Sequence, residues 1–326
     1  MAALGDAFFV QTFTTTLQRY EKTLVDNVLK THPTLELFKS NAKSWTGRGL
    51  VIPVRAANLN ATGYTDASGT HSTNASSDIM GSLVYEWADA IITPFHLKHR
   101  EILQNSGPEQ IVNLVEEYVK AAEADHQDFI VAEIHKLATS WSAGKTNSLD
   151  MLVSNAAYDA YAGTTVAGVD PTDPTKTYWQ STRIYDTASD IIAAFRTMTN
   201  TIFKESRKRP THIICGFDVY EEFEAYIQSK GLVQLGGSSI DTRWSAIKFG
   251  DLEVRLDPDC QNDRAYFLYQ PSLRFGYLAG EFMKTYPAVP LEGTLDTVVP
   301  IASTIALGLS ERRANGVLIR GVDPTL

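Results

Sequence analysis

The chain has 326 residues, 44% hydrophobic and 21% charged. That balance excludes a disordered chain and leaves room for two domains or one large irregular one. A net charge of -9 excludes a surface made to hold nucleic acid, which would have to neutralise phosphate. Two cysteines far apart, Cys215 and Cys260, exclude a disulfide framework and suit a reducing cytoplasm. No apolar run reaches membrane-spanning length, and the opening MAALGDAFF lacks a basic region followed by an apolar one, so no signal peptide and no membrane contact are expected.

Thr12 to Leu29 can form an amphipathic helix, with Phe13, Leu17, Tyr20, Leu24, Val28 and Leu29 on one side and His32-Pro33 at its end. From Trp45 to about His99 the chain reads as extended. Gly49 to Ala56 is a strand candidate that Pro53 confines to an edge or a bulge. Asn58 to Asp78 is dominated by Gly, Ser, Thr, Asn, Asp and Ala, which marks a loop or hairpin tip. Ile79 to Phe95 is extended again and is expected to end at Pro94. The two strands make one long hairpin with a polar tip. An isolated hairpin is marginal in water, so it either packs on its own domain or lies across a neighbouring subunit; the tip carries almost nothing to bury, which favours the second.

Pro108 to Trp141 carries the strongest helical signal. Ile111, Leu114, Val115, Tyr118, Val119, Ala122, Phe129, Ile130, Ile134, Leu137 and Trp141 recur at helical spacing. Ser106 and Glu109 make a capping box, and Gly144 offers the stop. Such a helix would be roughly 50 Å long, which suggests an elongated or plate-like molecule with this helix as its spine. Ser142 to Arg183 is rich in turn residues, with Tyr178 and Trp179 as anchors. Thr187 is expected to cap a second helix reaching Ser206. An α/β alternation follows: a buried strand at Thr211 to Cys215, a helix from Phe217 to Ser229, a flexible loop from Gly231 to Asp241, and a strand pair or bent strand over Ala246 to Leu256 with Gly250-Asp251 as the turn. Two strands flank Pro271, and the chain is β-rich from Phe282 to Arg320.

A search for chemistry finds no catalytic constellation. Lys145-Thr146 after Gly144 lacks the Gly five residues earlier that a phosphate loop needs. His96 and His99 lack a third ligand of the right kind and read as surface histidines; His126 and His135 lie nine apart, on nearly opposite helix faces. Cys215 reads as a buried strand residue. Cys260 sits among Asp257, Asp259 and Asp263, which would raise its pKa; those acids, with Asn262, read as a solvated turn around Pro258. No catalytic residue, metal or cofactor is expected.

The order of these elements resembles the major capsid protein of tailed bacteriophages, with the fold named after phage Hong Kong ninety-seven. The resemblance rests on THIICGFDVYEEF, on FGDLEVRLDPDC followed by AYFLYQPSLRFGYL, on ERRANGVLIRG, and on Tyr178-Trp179 with Arg183, and it covers nearly the whole chain. It implies an α+β fold divided as an N-terminal arm at 1–44, an E-loop hairpin at 45–99, a peripheral domain with the spine helix at 100–186, an axial α/β domain at 187–280, and peripheral return strands at 281–326. It further implies a shell of hexamers and pentamers around double-stranded DNA that is enclosed without sequence-specific binding, in a virion assembled in the host bacterial cytoplasm. Scaffolding, portal and decoration proteins would be separate chains. The implied contacts between subunits are Arg48, Val51, Val54, Arg55, Tyr85 and Trp87 on the E-loop, Gly236 and Gly237 at the ring centre, and Arg312 and Arg313 as ion-pair donors. Some members cross-link the E-loop through a Lys; none lies between Lys43 and Lys98 here, so noncovalent stabilisation is expected. Two alternatives stay open: a bacterial nanocompartment shell of the same fold, and a soluble α/β enzyme.

Overall fold

The computed structural model describes residues 32–55, 80–100, 114–153, 165–170, 173, 176–187, 190–229 and 247–321. The expected N-terminal helix, the hairpin tip, the start of the spine helix and the loop carrying Gly236 and Gly237 lie outside the described residues.

In chain order the elements begin with helix α1 (Pro33–Lys39) and strands β1 (Ala42–Trp45), β2 (Gly49–Arg55), β3 (Met80–Glu86) and β4 (Ile91–Leu97). Helices α2 (Leu114–Ile134) and α3 (Leu149–Leu152), strand β5 (Thr182–Asp186), helix α4 (Ile191–Ser206), strand β6 (His212–Cys215) and helix α5 (Phe217–Ser229) follow. The rest is strand: β7 (Ile247–Phe249), β8 (Leu252–Leu256), β9 (Arg264–Leu268), β10 (Leu273–Leu278), β11 (Lys284–Thr285), β12 (Val289–Pro290), β13 (Thr297–Ser303), β14 (Ile305–Leu309) and β15 (Gly316–Arg320).

Two compact units divide the chain. The smaller contains 93–100, 114–125 and 285–301; the larger contains 32–92, 126–284 and 302–321, within the described residues. In the smaller unit β11, β13 and β12 form a sheet to which β4 adds through β13. Phe95, Leu97, Ala122, Val299 and Ile301 close its core, with Tyr118 and Val119 packed on it. The Asp296 carboxylate accepts from the His99 backbone N–H at 2.9 Å and lies 3.4 Å from His96 Nε2.

The larger unit holds two cores. One is a six-stranded sheet in the order β5-β15-β9-β6-β8-β7, with α4 and α5 packed on it through Ile191, Phe195, Met198, Ile202, Val219 and Phe223. Phe195 anchors this layer: it stacks on Phe223 at 5.3 Å and meets Phe267 and Phe249 edge-on. The sheet draws β5 and β15 from outside the 187–280 span. The other core gathers around a three-stranded sheet, β1-β10-β14, and takes in Leu35, Leu37, Phe38, Leu50, Tyr85, Ile130, Ile134, Leu149 and Trp179.

Several expectations need correction. The spine helix ends at Ile134, not at Gly144. The His135 carbonyl accepts from the Gln261 side-chain amide, and the Ala138 N–H is taken by the Asp150 carboxylate at 2.8 Å. Terminal backbone groups satisfied by side chains from elsewhere let a helix stop without glycine. The cap of α4 is Asp190, not Thr187; its carboxylate accepts from Ile192 N at 3.0 Å and Ala193 N at 3.3 Å. The second arm of the hairpin is two strands, because the chain leaves β3 after Glu86 and re-forms as β4 through Pro94 to Leu97. Ala88 N–H bonds the Ile305 carbonyl and Asp89 N–H bonds the Gly144 carbonyl, which fixes the break.

Asp257 is fully buried and is no solvated turn residue. It accepts from the Thr34 hydroxyl and from Thr34 N at 3.2 Å, and His135 Nε2 lies 3.3 Å away. Burial disfavours its charge, but the hydrogen bonds from His135, Thr34 and the Asp259 N–H outweigh that and hold its pKa down at about 2. Cys260 is buried, and loss of solvent, more than the neighbouring acids, raises its thiol pKa. His126 in α2 and His135, just beyond its end, are both buried.

Candidate assembly surface

The base of the hairpin is a two-stranded antiparallel ladder, β2 on β3, with Leu50 opposite Tyr85, Val51 opposite Val84 and Ile52 opposite Leu83. Side chains alternate across a strand, so one face carries Leu50, Ile52, Leu83 and Tyr85 into the core and the other presents Val51 and Val84 to solvent. Among the described residues no strand pairs with the free side of β2, where Pro53, with no N–H to donate, is tolerated.

Tyr85 fixes this ladder to its own chain. Its hydroxyl donates to the Leu309 carbonyl at 2.8 Å and accepts from the Leu309 N–H at 3.0 Å. Burial drives its pKa above the ordinary tyrosine value. The ring leaves no space at Gly308, where a Cβ would come within 2.6 Å of Cδ2 and Cε2. Trp87 Nε1 donates to the Gly47 carbonyl at 2.8 Å and closes the hairpin base.

The remaining E-loop and C-terminal candidates divide sharply. Arg48 and Glu86 stand 3.6 Å apart with side chains 91% and 74% exposed, too hydrated to hold the monomer together. Arg55 is exposed, and Val54 is half-buried against the core. Tyr85 and Arg312 are both buried and hydrogen-bonded inside their own chain. Arg312 is fully buried beneath Trp179, with Nε donating to the Leu152 carbonyl at 2.6 Å and Nη1 to the Trp179 carbonyl at 3.0 Å. Its guanidinium carbon sits 5.4 Å from the Trp179 ring centre, and Trp179 Nε1 donates to the Val166 carbonyl at 3.1 Å. Arg313, one residue on, points elsewhere: it is half-buried, and its Nε is buried with no acceptor.

Arg313 lines a hollow of about 490 Å³ with Ile52, Val54, Arg55, Tyr178, Glu205 and Arg274. Sequence reading found Arg55 and Arg313 singly. It had no signal for Arg274, or for the hollow that gathers all three, because five separate stretches of chain build it. Elsewhere on the surface, Val289, Leu291 and Leu295 are exposed around the β12–β13 turn, Leu295 by 75%. Among the described residues no group of three or more His, Cys, Asp or Glu side chains is placed to hold a metal ion.

No family model matches the sequence, and no curated protein matches it. Solved structures do. The chain superposes on the capsid protein of Cyanophage A-1(L) with a TM-score of 0.68 at 14% identity, covering 98% of this chain and 99% of that one. The capsid of an empty GTA particle matches with a TM-score of 0.61 at 11% identity, covering 99% and 98%. The SrpI encapsulin of Synechococcus elongatus matches with a TM-score of 0.57 at 10% identity, covering 95% and 94%. The chain has the Hong Kong ninety-seven type capsid fold.

Proposed function

We propose that this chain is the major capsid protein of a tailed bacteriophage, assembling with copies of itself into hexamers and pentamers that close an icosahedral shell around double-stranded DNA. The single observation that carries the reading is a fold shared over 98% of the chain with a cyanophage capsid subunit. The net charge of -9 agrees with it, since a container must not grip the phosphates it encloses. Rings form by head-to-tail contacts that close on rotation.

On this reading the domain plan is the arm, E-loop, peripheral and axial division expected from the resemblance. Arg48, Val51, Val54, Arg55, Trp87 and Arg313 belong to contacts between subunits, with Gly236 and Gly237 at the ring centre. Separate scaffolding, portal and decoration proteins complete the particle, which assembles in the host cytoplasm. No catalytic step is assigned.

The test is negative-stain imaging of the purified chain together with a variant lacking Asn60 to Asp78. The wild type should give curved, closed particles. The deletion should give a soluble subunit with few or no shells. A monodisperse monomer of the wild type at every concentration overturns the assignment, and normal shells from the deletion overturn the role given to the hairpin. The encapsulin match favours a second reading, a nanocompartment shell. Particle contents separate the two: packaged DNA supports the capsid, enclosed protein the compartment.

A further inference from the structure

Helix α1 has seven residues, too few for helix propensity alone to sustain it in water, so its start must be fastened from outside. His32 is its N-cap, in extended backbone at φ -114° and ψ 90°, and the side chain makes no capping bond. The Glu36 N–H bonds the His32 carbonyl at 3.1 Å. The ring is buried and spends its nitrogens on two other elements. Nε2 lies 2.7 Å from Asp128 Oδ1 of α2, and Nδ1 lies 3.2 Å from Asp259 Oδ2 in the turn after β8. Two residues on, Thr34 donates through its N–H and its hydroxyl to Asp257. Asp257 also accepts from the Asp259 N–H at 3.1 Å and stands 3.3 Å from His135 Nε2. All these groups belong to the larger unit.

A neutral imidazole carries one N–H, and only the imidazolium carries two. With the proton on Nε2 alone, the Nδ1 lone pair would face the Asp259 carboxylate. With it on Nδ1 alone, the Nε2 lone pair would face Asp128 at 2.7 Å. Nδ1 makes no aligned hydrogen bond, so Asp259 meets it as a charge, and that contact attracts only when the ring is positive. The two contacts together select the charged ring. The Asp128 and Asp259 side chains are 24% and 32% exposed, so water reaches the pair and the proton can leave without the core opening. Behind these two acids stand Asp257 and His135, which face each other. The cations on the adjoining segments are engaged apart from the ring: Lys39 Nζ donates to Gln127 and Lys136 Nζ to Glu133, while Glu36 is exposed.

We propose that His32 is a pH-sensitive clasp: as an imidazolium it fastens the start of α1 to α2 and to the turn after β8, and loss of its proton loosens that fastening. Imidazole is the side chain that changes charge near neutrality. The geometry fixes the sign. The contacts that need the charged ring are present on the acid side of its titration and are lost as pH rises through it. Asp257 stays ionised throughout, since its pKa is held at about 2, so Thr34 keeps its bonds. Leu35, Leu37 and Phe38 remain in the core. The opening is therefore local, confined to the first turn of α1 and the turn after β8. The clasp is a property of the single subunit and holds whether or not the chain assembles.

Hydrogen exchange on the full chain reads the clasp at the amides of Glu36 and Asp259. Corrected for the intrinsic exchange rate, their protection in the wild type should fall about tenfold between about pH 6 and about pH 8. The fall should coincide with titration of the His32 ring, followed by NMR of its imidazole nitrogens. Amides of Ile214 and Phe267, paired in mid-sheet, should not respond. His32→Gln keeps a donor for Asp128 but cannot take a charge, so its protection at Glu36 and Asp259 should be flat with pH. Asp259→Asn removes the carboxylate at Nδ1 and should shrink the step at Glu36 to less than about threefold. Circular dichroism checks that both variants are folded. A step of wild-type size in folded His32→Gln would assign the titration to another group, such as His135, and overturn the clasp. Protection that stays constant while the ring titrates overturns it too. Should a variant fail to fold, the wild type alone decides: coincident ring and amide transitions support the clasp, and a separation of more than about one pH unit sinks it.

Discussion

Substituting Gly308 by Ala should destabilise the subunit through one identifiable clash, the new methyl against the ring of Tyr85. A Cβ at this position would meet Cδ2 and Cε2 at 2.6 Å and Cζ at 3.0 Å, well inside ordinary van der Waals contact. The ring cannot swing away cheaply, because its hydroxyl is held by both the carbonyl and the N–H of Leu309. Nor can β14 retreat easily, since Gly308 is paired with Arg274 of β10. Overpacking of a filled core costs about 1–3 kcal/mol, and the shared hydrogen bonds place this site near the upper end, at about 2–3 kcal/mol. Tyr85→Ala should cost about 3–5 kcal/mol by cavity formation. In the Tyr85→Ala background the same Gly308→Ala change has room, and it removes a strand glycine, so its cost should fall to about zero. The coupling between the two sites is therefore about 2 kcal/mol. Urea unfolding of the dilute, unassembled subunit measures it, with an unchanged slope against denaturant as the check that one transition is being followed. Additive costs, within about 0.5 kcal/mol, would refute the claim that the Tyr85 ring is what forbids a side chain at position 308.

Three further outcomes follow from the buried groups. Asp257 has a depressed pKa in the folded chain, about 2 against an ordinary 3.8, so its contribution of about 2 kcal/mol is present above pH 4 and is lost as pH falls from about 4 to about 2. Asp257→Asn should flatten the subunit's stability over that window, and an unchanged acid profile would count against the network around Thr34 and His135. Arg312→Ala strips the Leu152 and Trp179 carbonyls of a buried donor and empties the space under Trp179, for an expected loss of about 3–5 kcal/mol in urea midpoints or of soluble yield. Arg313→Ala, on the same turn, should leave subunit stability within about 1 kcal/mol. Cys215 and Cys260 are buried with raised pKa values, so a thiol reagent should label neither in the native subunit and both in urea. Rapid native labelling of either would show that its burial is misplaced.

What could be read from the sequence was whatever nearby residues decide. The β7–β8 hairpin needs only Gly250, whose φ of +62° suits the turn. Pro271 starts the short turn between β9 and β10, and Cys215 closes an apolar run that is buried in mid-sheet. The end of α2 could not be read that way. Gln261 takes the His135 carbonyl from 126 positions along the chain, and no local glycine or proline announces it. Thr187 and Asp190 are both good caps, and only the packing of Ile191 and Phe195 on the sheet decides which one starts α4.

The same physics explains why two of the ten expected contact residues, Tyr85 and Arg312, are buried in their own chain. An arginine in sequence is a charge, and charges default to the surface. Arg312 escapes that default because two backbone carbonyls and an aromatic face replace its water, while its neighbour Arg313 keeps an unspent Nε. Adjacent residues of one type thus have opposite employment, one holding the subunit together and the other left over from it. On the proposed reading, the residues that join copies of the chain are of the second kind. Left over in the same way are the Val51–Val84 face and the Arg48–Glu86 pair, which is too hydrated to matter in the monomer. A motif search looks for groups gathered around one reacting atom and so passes over them. In a tiled assembly each such group is half of a pair whose other half sits on a different copy, so the signature to look for is chemistry that the single chain leaves incomplete on two separate faces.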